Sequence, residues 1–107
     1  MSTVDEIARE HGLVSVAYVS SGGYSWAATE VFYDPAAVRF RWYSDSGCSC
    51  NYYGESVTGL GDFGDGDRDA AIEALKGAAG HWEGDADPET VARATDKVRD
   101  YRPEVTA

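Results

Sequence analysis

Cys48 and Cys50, separated by one serine, are the residues of this 107-residue chain whose types are best suited to chemistry. Thiolates bind zinc and attack electrophiles, and imidazole is the usual partner in both roles. The chain has two histidines, so a metal centre would draw on Cys48, Cys50, His11 and His81. The spacing argues against one: zinc-binding cysteines usually have two or more residues between them, and neither histidine has a second ligand at metal spacing. A Cys48–Cys50 disulfide would close a small, strained ring, and a reactive thiol pair is the remaining option. The simplest expectation is that both thiols pack as small hydrophobes at the end of a sheet, with Gly47 permitting the turn.

Two further strings imitate known sites. Gly59-x-Gly61-x-x-Gly64 matches the dinucleotide fingerprint, but no hydrophobic strand precedes it. Asp62, Asp65, Asp67 and Asp69 would repel a pyrophosphate there. Asp65, Asp67 and Asp69 resemble the start of a calcium loop, yet Ala70 stands where glycine is required and Lys76 where the bidentate glutamate belongs. Both read as loop glycines with acids that favour a helix start. The only nucleophile–base candidates are Cys48 with His81 or His11, which nothing in the sequence brings together. Neither an enzymatic activity nor a cofactor is expected.

Composition narrows the rest. Nineteen acids against nine bases give a formal charge of −10, which disfavours nucleic acid and anionic membranes as partners. No apolar run approaches a membrane span, and residues 1–12 lack the apolar core of a signal peptide, so the chain is expected to stay where it is made. Between Asp62 and Glu89 nine acids meet two bases. Such a run can mimic DNA phosphates, though more often it is a solvated surface. Residues 1–107 read as a single domain without internal repeats.

The elements that must position these residues are legible from caps and turns. Thr3-Val4-Asp5-Glu6 has the form of a capping box opening a helix over about 4–11, with Gly12 as its stop. Strands are expected over about 13–20, 24–33 and 38–44, turned at Ser20–Gly23 and Asp34–Ala37. A short strand near 56–58 is a further option. Asp67 caps a helix over 68–79, with Ile72, Leu75, Ala79 and Trp82 on one side. Asp87-Pro88-Glu89 opens another over 88–101, with Val91, Thr95, Val98 and Tyr101 as its buried stripe. The fold class is therefore α+β, an antiparallel sheet of three or more strands with about three helices on one face.

Closing the second hairpin over Asp34–Ala37 sets Tyr33 opposite Val38, Val31 opposite Phe40 and Glu30 opposite Arg41. Closing the first over Ser21-Gly22 sets Val19 opposite Tyr24 and Ala17 opposite Trp26. Alternation then sorts two faces. A core face collects Val14, Val16, Tyr18, Thr29, Val31, Tyr33, Val38, Phe40 and Trp42. The outer face carries Ala17, Val19 and Glu30 together with Tyr24, Trp26, Phe32, Arg39, Arg41 and Tyr43. Rings beside arginine are typical of interface hot spots, so these last six form the candidate protein-binding face.

The aromatic strand running into Tyr43-Ser44-Asp45-Ser46-Gly47-Cys48-Ser49-Cys50, with Glu55 shortly after, resembles a group of small uncharacterised proteins of actinobacteriophages. The resemblance covers about the middle third of the chain. Asn51-Tyr52-Tyr53 departs from it where relatives tend to have proline. The arginine-rich, alanine- and glycine-rich composition agrees with a high-GC source. The resemblance implies no activity but a setting, the host bacterial cytoplasm, where small acidic domains act by binding host or phage proteins. The expected function is protein binding, to such a partner or to a second copy as a homo-oligomer. A metal- or thiol-dependent role for Cys48 and Cys50, and acidic mimicry of nucleic acid, are the alternatives.

Overall fold

A computed structural model describes residues 3–79 and 86–103. Four strands form an antiparallel meander: β1 (Val14–Gly22), β2 (Ser25–Asp34), β3 (Arg39–Cys48) and β4 (Gly64–Gly66), in spatial order β1-β2-β3-β4. Three helices accompany them: α1 (Val4–Glu10), α2 (Arg68–Ala79) and α3 (Pro88–Asp100). The fold is α+β. The helices start where the caps direct: Thr3 Oγ1 accepts from the Glu6 amide, Asp67 Oδ1 from the Ala70 amide and Asp87 Oδ2 from the Thr90 amide.

The sheet buries both faces, each with its own core. α2 and α3 cover one side, where Ala17, Val19, Val31, Tyr33 and Phe40 meet Ile72, Leu75, Ala94 and Val98. The expected stripe of α3 holds, with Thr95 and Val98 buried and Val91 and Tyr101 packed at the margin. Arg68 ties these helices together. Its guanidinium donates to the carbonyls of Val98 and Tyr101 at 2.5 and 2.8 Å and lies 5.1 Å from the Phe40 ring centroid. A cation at a helix C-terminus meets the unsatisfied carbonyls and the negative end of the dipole.

The opposite side was expected to be open. Instead α1 and residues 57–63 pack on it, so Val4, Ile7 and Ala8 enclose Phe32, Tyr43, Val57 and Phe63. Phe32 and Tyr43 are therefore core residues, 1 % and 6 % exposed. The three helices divide between the faces instead of sharing one. Residues 56–58 form no strand; the fourth strand is β4, whose glycines make room for Trp42. A Cβ at Gly64 would collide with the Trp42 indole. The fingerprint glycine thus serves packing against a tryptophan. The aspartates around it have structural roles too, since Asp62 Oδ2 accepts from the Thr58 and Gly59 amides.

Both hairpins depart from the expected register, for different reasons. In the second, Asp34 pairs with Arg39 and Tyr33 with Phe40, a shift of two residues that leaves the faces of β2 and β3 intact. Asp34 Oδ1 accepts from the amides of Ala36 and Ala37, an Asx turn that lengthens the loop to include Val38. Glu30 consequently faces Tyr43, and Arg41 faces Phe32. Arg41 is not the direct neighbour of Glu30; its Nε donates to Asp34 Oδ2 at 2.7 Å. In the first hairpin Gly22 pairs with Trp26, and Ala17 with Val31. Gly22 has φ of +94°, and a Cβ there would strike the Ser25 carbonyl; the chain turns beyond it, and Val19, expected opposite Tyr24, pairs with Thr29, a register shift of five residues. That shift is odd and exchanges the faces of β1. Ala17 and Val19 enter the core under α2 and α3, while Tyr18 moves to the α1 side and Val14 is exposed.

Val38, expected in the core, is 74 % exposed with φ of +54°. A β-branched residue in the left-handed region costs about 1–3 kcal/mol. Val38→Gly is expected to stabilise the fold by about 1 kcal/mol, a part of that strain being offset by the flexibility glycine restores to the unfolded chain. Chemical denaturation would read this as a higher midpoint at unchanged slope.

Candidate binding site

The six residues of the expected binding face have separate surroundings. Phe32 and Tyr43 are buried. Arg41 is bound to Asp34 in a largely buried ion pair, and Arg39 to Asp65 in an exposed one, each at 2.7 Å. Burial alone would raise the Asp34 carboxyl, but the Arg41 guanidinium and the Ala37 and Ala36 amides outweigh it and hold it below its ordinary value. Tyr24 lies in the exposed β1–β2 turn, and Trp26 is half-buried with its Nε1 donating to the Cys48 carbonyl at 3.0 Å. A continuous aromatic platform does not form, because α1 and residues 57–63 cover its middle.

Beside that covered centre is a cleft of about 300 Å³ lined by Thr3, Val4, Asp5, Tyr18, Glu30 and Tyr53. Each wall follows from the local fold. Glu30 points from the centre of β2 to the α1 side, and the reversed face of β1 sets Tyr18 opposite it. The Thr3 cap fixes the start of α1, which brings Asp5 to the rim. Tyr53 arrives from the loop after β3, where Asp45 Oδ2 accepts from the Gly54 amide at 2.9 Å. Its ring stands edge-on to Tyr18 and Tyr43, with centroids 5.7 and 5.6 Å away.

Glu30 is the chemical centre of the cleft. Ser15 Oγ donates to Oε2 at 3.2 Å and the Tyr53 hydroxyl to Oε1 at 3.3 Å. Burial pushes the Glu30 carboxyl above 4.5, the Ser15 hydrogen bond partly offsets this, and the charge of Asp5 adds to the rise. Burial, with the Glu30 charge next, pushes the Tyr53 phenol well above its usual range, so it remains a hydrogen-bond donor. Among the described residues no ion pair involves Glu30 or Asp5. Two carboxylates and two tyrosine rings around an open volume are the residue types that attract a cation, the carboxylates by charge and the rings by their quadrupole.

The raised value has a stability consequence. Well below 4.5 Glu30 is protonated in both folded and unfolded chains, and the fold does not bear the cost of holding it ionised in the cleft. As pH rises through the raised folded value, that advantage is lost. Glu30→Gln keeps partners for Ser15 and Tyr53, and is expected to raise Tm at neutral pH while leaving it nearly unchanged below 4.5. Thermal unfolding at the two pH values checks this.

Among the described residues no metal-ligand cluster forms around the cysteines. Cys48 and Cys50 are joined to each other, Cα atoms 5.4 Å apart, instead of packing as separate thiols. Asn51 Oδ1 accepts from the Cys48 amide and supports the turn. His11 is the exposed cap residue of α1, and His81 lies outside the described residues, as does Trp82. Among the described residues no cluster of three metal-ligating side chains occurs, and no helix is long and apolar enough to cross a membrane.

The cleft escaped the sequence reading because it depends on the face of β1. The expected register puts Tyr18 in the core, and Tyr53 lies in none of the expected elements. The signal available was Glu30 itself, a lone carboxylate amid the apolar residues of β2. No curated protein and no solved structure matches the chain. A family model does, over residues 2–106, and the chain belongs to that family, the domain of unknown function DUF7574.

Proposed function

We propose that this protein is a binding module that recognises a protein partner through a cationic side chain, lysine or arginine, received in the Glu30 cleft. The observation that carries the reading is a half-buried carboxylate without a basic counter-ion among the described residues. Keeping such a group from water costs stability, and functional sites are where such costs are retained. A cation entering between Tyr18 and Tyr53 would neutralise Glu30 and Asp5 together. The net charge of −10 would draw a basic partner and repel an acidic one. The partner is thus a basic protein.

Binding by contact, with no catalysis, suits a site whose tyrosine and glutamate satisfy each other. Mimicry of nucleic acid is less favoured, because Asp62 and Asp67 are engaged as caps and Asp65 in an ion pair. The resemblance to actinobacteriophage proteins supplies the setting: a partner from host or phage in the bacterial cytoplasm. The test is a two-dimensional NMR titration with N-acetyl-lysine methylamide, with the glutamate analogue as control. Saturable shifts at Tyr18, Glu30 and Tyr53 with the lysine compound alone are expected, in the millimolar range of a single side chain. Equal responses to both compounds, or shifts confined to other parts of the sheet, would overturn the reading.

A further inference from the structure

We infer that the partner binds as an extended strand added to the outer edge of β1, and that the cation entering the Glu30 cleft is one of that strand's own side chains. This rests on the cleft reading and goes beyond it, because it specifies backbone conformation and docking edge. Among the described residues, β1 pairs only with β2 and is the long terminal strand of the sheet. Natural edge strands are usually blunted by charge, proline, brevity or a bulge. β1 spans nine residues, Val-Ser-Val-Ala-Tyr-Val-Ser-Ser-Gly, with neither a charge nor a proline. Its one irregularity is the bulge between Ser15 and Ala17; from Ala17 to Gly22 the ladder is regular. The opposite edge contrasts with it, since β4 has three residues and centres on an aspartate.

Two features of the edge coincide with the cleft. Tyr18, in the regular part of β1, lines it, and Ser15 at the bulge donates to Glu30. A strand paired along β1 therefore runs past the cleft mouth, and every second side chain projects to the α1 side, where the carboxylates lie. One long basic residue at that parity reaches Asp5 and Glu30, and its neighbours point to the other face. Charge selects the occupant. A second copy of this chain would bring another −10 and offer β1, which has no cation to fill the cleft. A basic extended peptide supplies both the backbone and the charge.

The test uses the whole chain and four probes: N-acetyl-lysine methylamide, an acetylated Thr-Val-Lys-Val-Thr amide, and two versions of that peptide N-methylated on alternate residues, one for each parity. The pentapeptide is expected to bind about tenfold tighter than the lysine compound, which corresponds to about one net backbone hydrogen bond. It should also slow hydrogen exchange of amides in residues 17–20. One N-methylated parity should lose that gain and the other keep it. If the lysine compound binds in the cleft but the pentapeptide is no tighter and protects no β1 amide, the edge proposal falls and the cleft reading stands. If neither binds, both fall. If sedimentation shows the free chain to be a dimer whose β1 amides are already protected, the edge belongs to a second copy and the proposal is overturned.

Discussion

Asp34→Ala is expected to destabilise the protein by about 3–5 kcal/mol, the usual cost of removing one partner of a buried ion pair. Three contacts depend on this side chain: the Arg41 guanidinium and the Ala36 and Ala37 amides. Arg41 keeps only 19 % of its side chain exposed, so without Asp34 its charge is left largely unsolvated. The loop would lose its Asx turn as well, and with it the contact that keeps strained Val38 in place. In a domain of this size the loss should lower Tm by more than about 10 °C. Asp34→Asn, which keeps an oxygen for the amides, should cost less. The folded carboxyl lies below its ordinary 3.8, so its contribution is present above 3.8 and disappears as pH falls through the lower folded value. The gap between wild type and Asp34→Asn in urea unfolding should therefore narrow in acid. A constant gap would mean that the charge contributes nothing.

Phe32→Ala is expected to cost about 3–5 kcal/mol, as for other fully buried aromatic truncations. The ring lies 5.7 Å from Phe63 and beneath α1, 1 % exposed. Arg39→Ala, at a residue assigned to the same face from sequence, should change stability by no more than about 1 kcal/mol, because its pair with Asp65 is exposed on both sides. Denaturant midpoints of the two variants decide whether this face of the sheet is a second core. Similar small effects would restore the open platform.

Local signals carried the elements, and the places where they ran out are physical. Capping residues Thr3, Asp67 and Asp87 marked the three helix starts because a cap is a contact between neighbours in sequence. The faces of β2 and β3 were legible because an even slip preserves alternation. The faces of β1 differ from the expected ones through one turn: the closure expected over Ser21-Gly22 lies beyond Gly22, whose left-handed backbone carries the strand on. That single residue moved Tyr18 from the expected core to the cleft. The second layer, α1 and residues 57–63 on Phe32 and Tyr43, was hidden for another reason. The seven-residue helix shows one short apolar face, Val4, Ile7 and Ala8, and the glycine-rich loop shows no period, so the surface on which they dock rests on distant contacts. Glu30 was visible as an oddity, but its neighbours come from β1, α1 and the loop after β3, and no local pattern joins them.

The most direct measurement of the central claim is the pH dependence of lysine binding. Calorimetric titration with N-acetyl-lysine methylamide would compare wild type with Glu30→Gln. The groups around Glu30 are Asp5 from α1, Tyr18 and Ser15 from β1, Tyr43 from β3 and Tyr53 from the following loop. Of these, Asp5 is the other carboxylate. Wild-type affinity should rise as pH climbs above 4.5 through the raised value of Glu30, as the cleft becomes anionic. Glu30→Gln should bind about tenfold more weakly at neutral pH, the loss of one charge-assisted contact, and should lack the step above 4.5. Equal affinity of the two proteins, with the same pH profile, would show that the Glu30 cleft does not receive the cation.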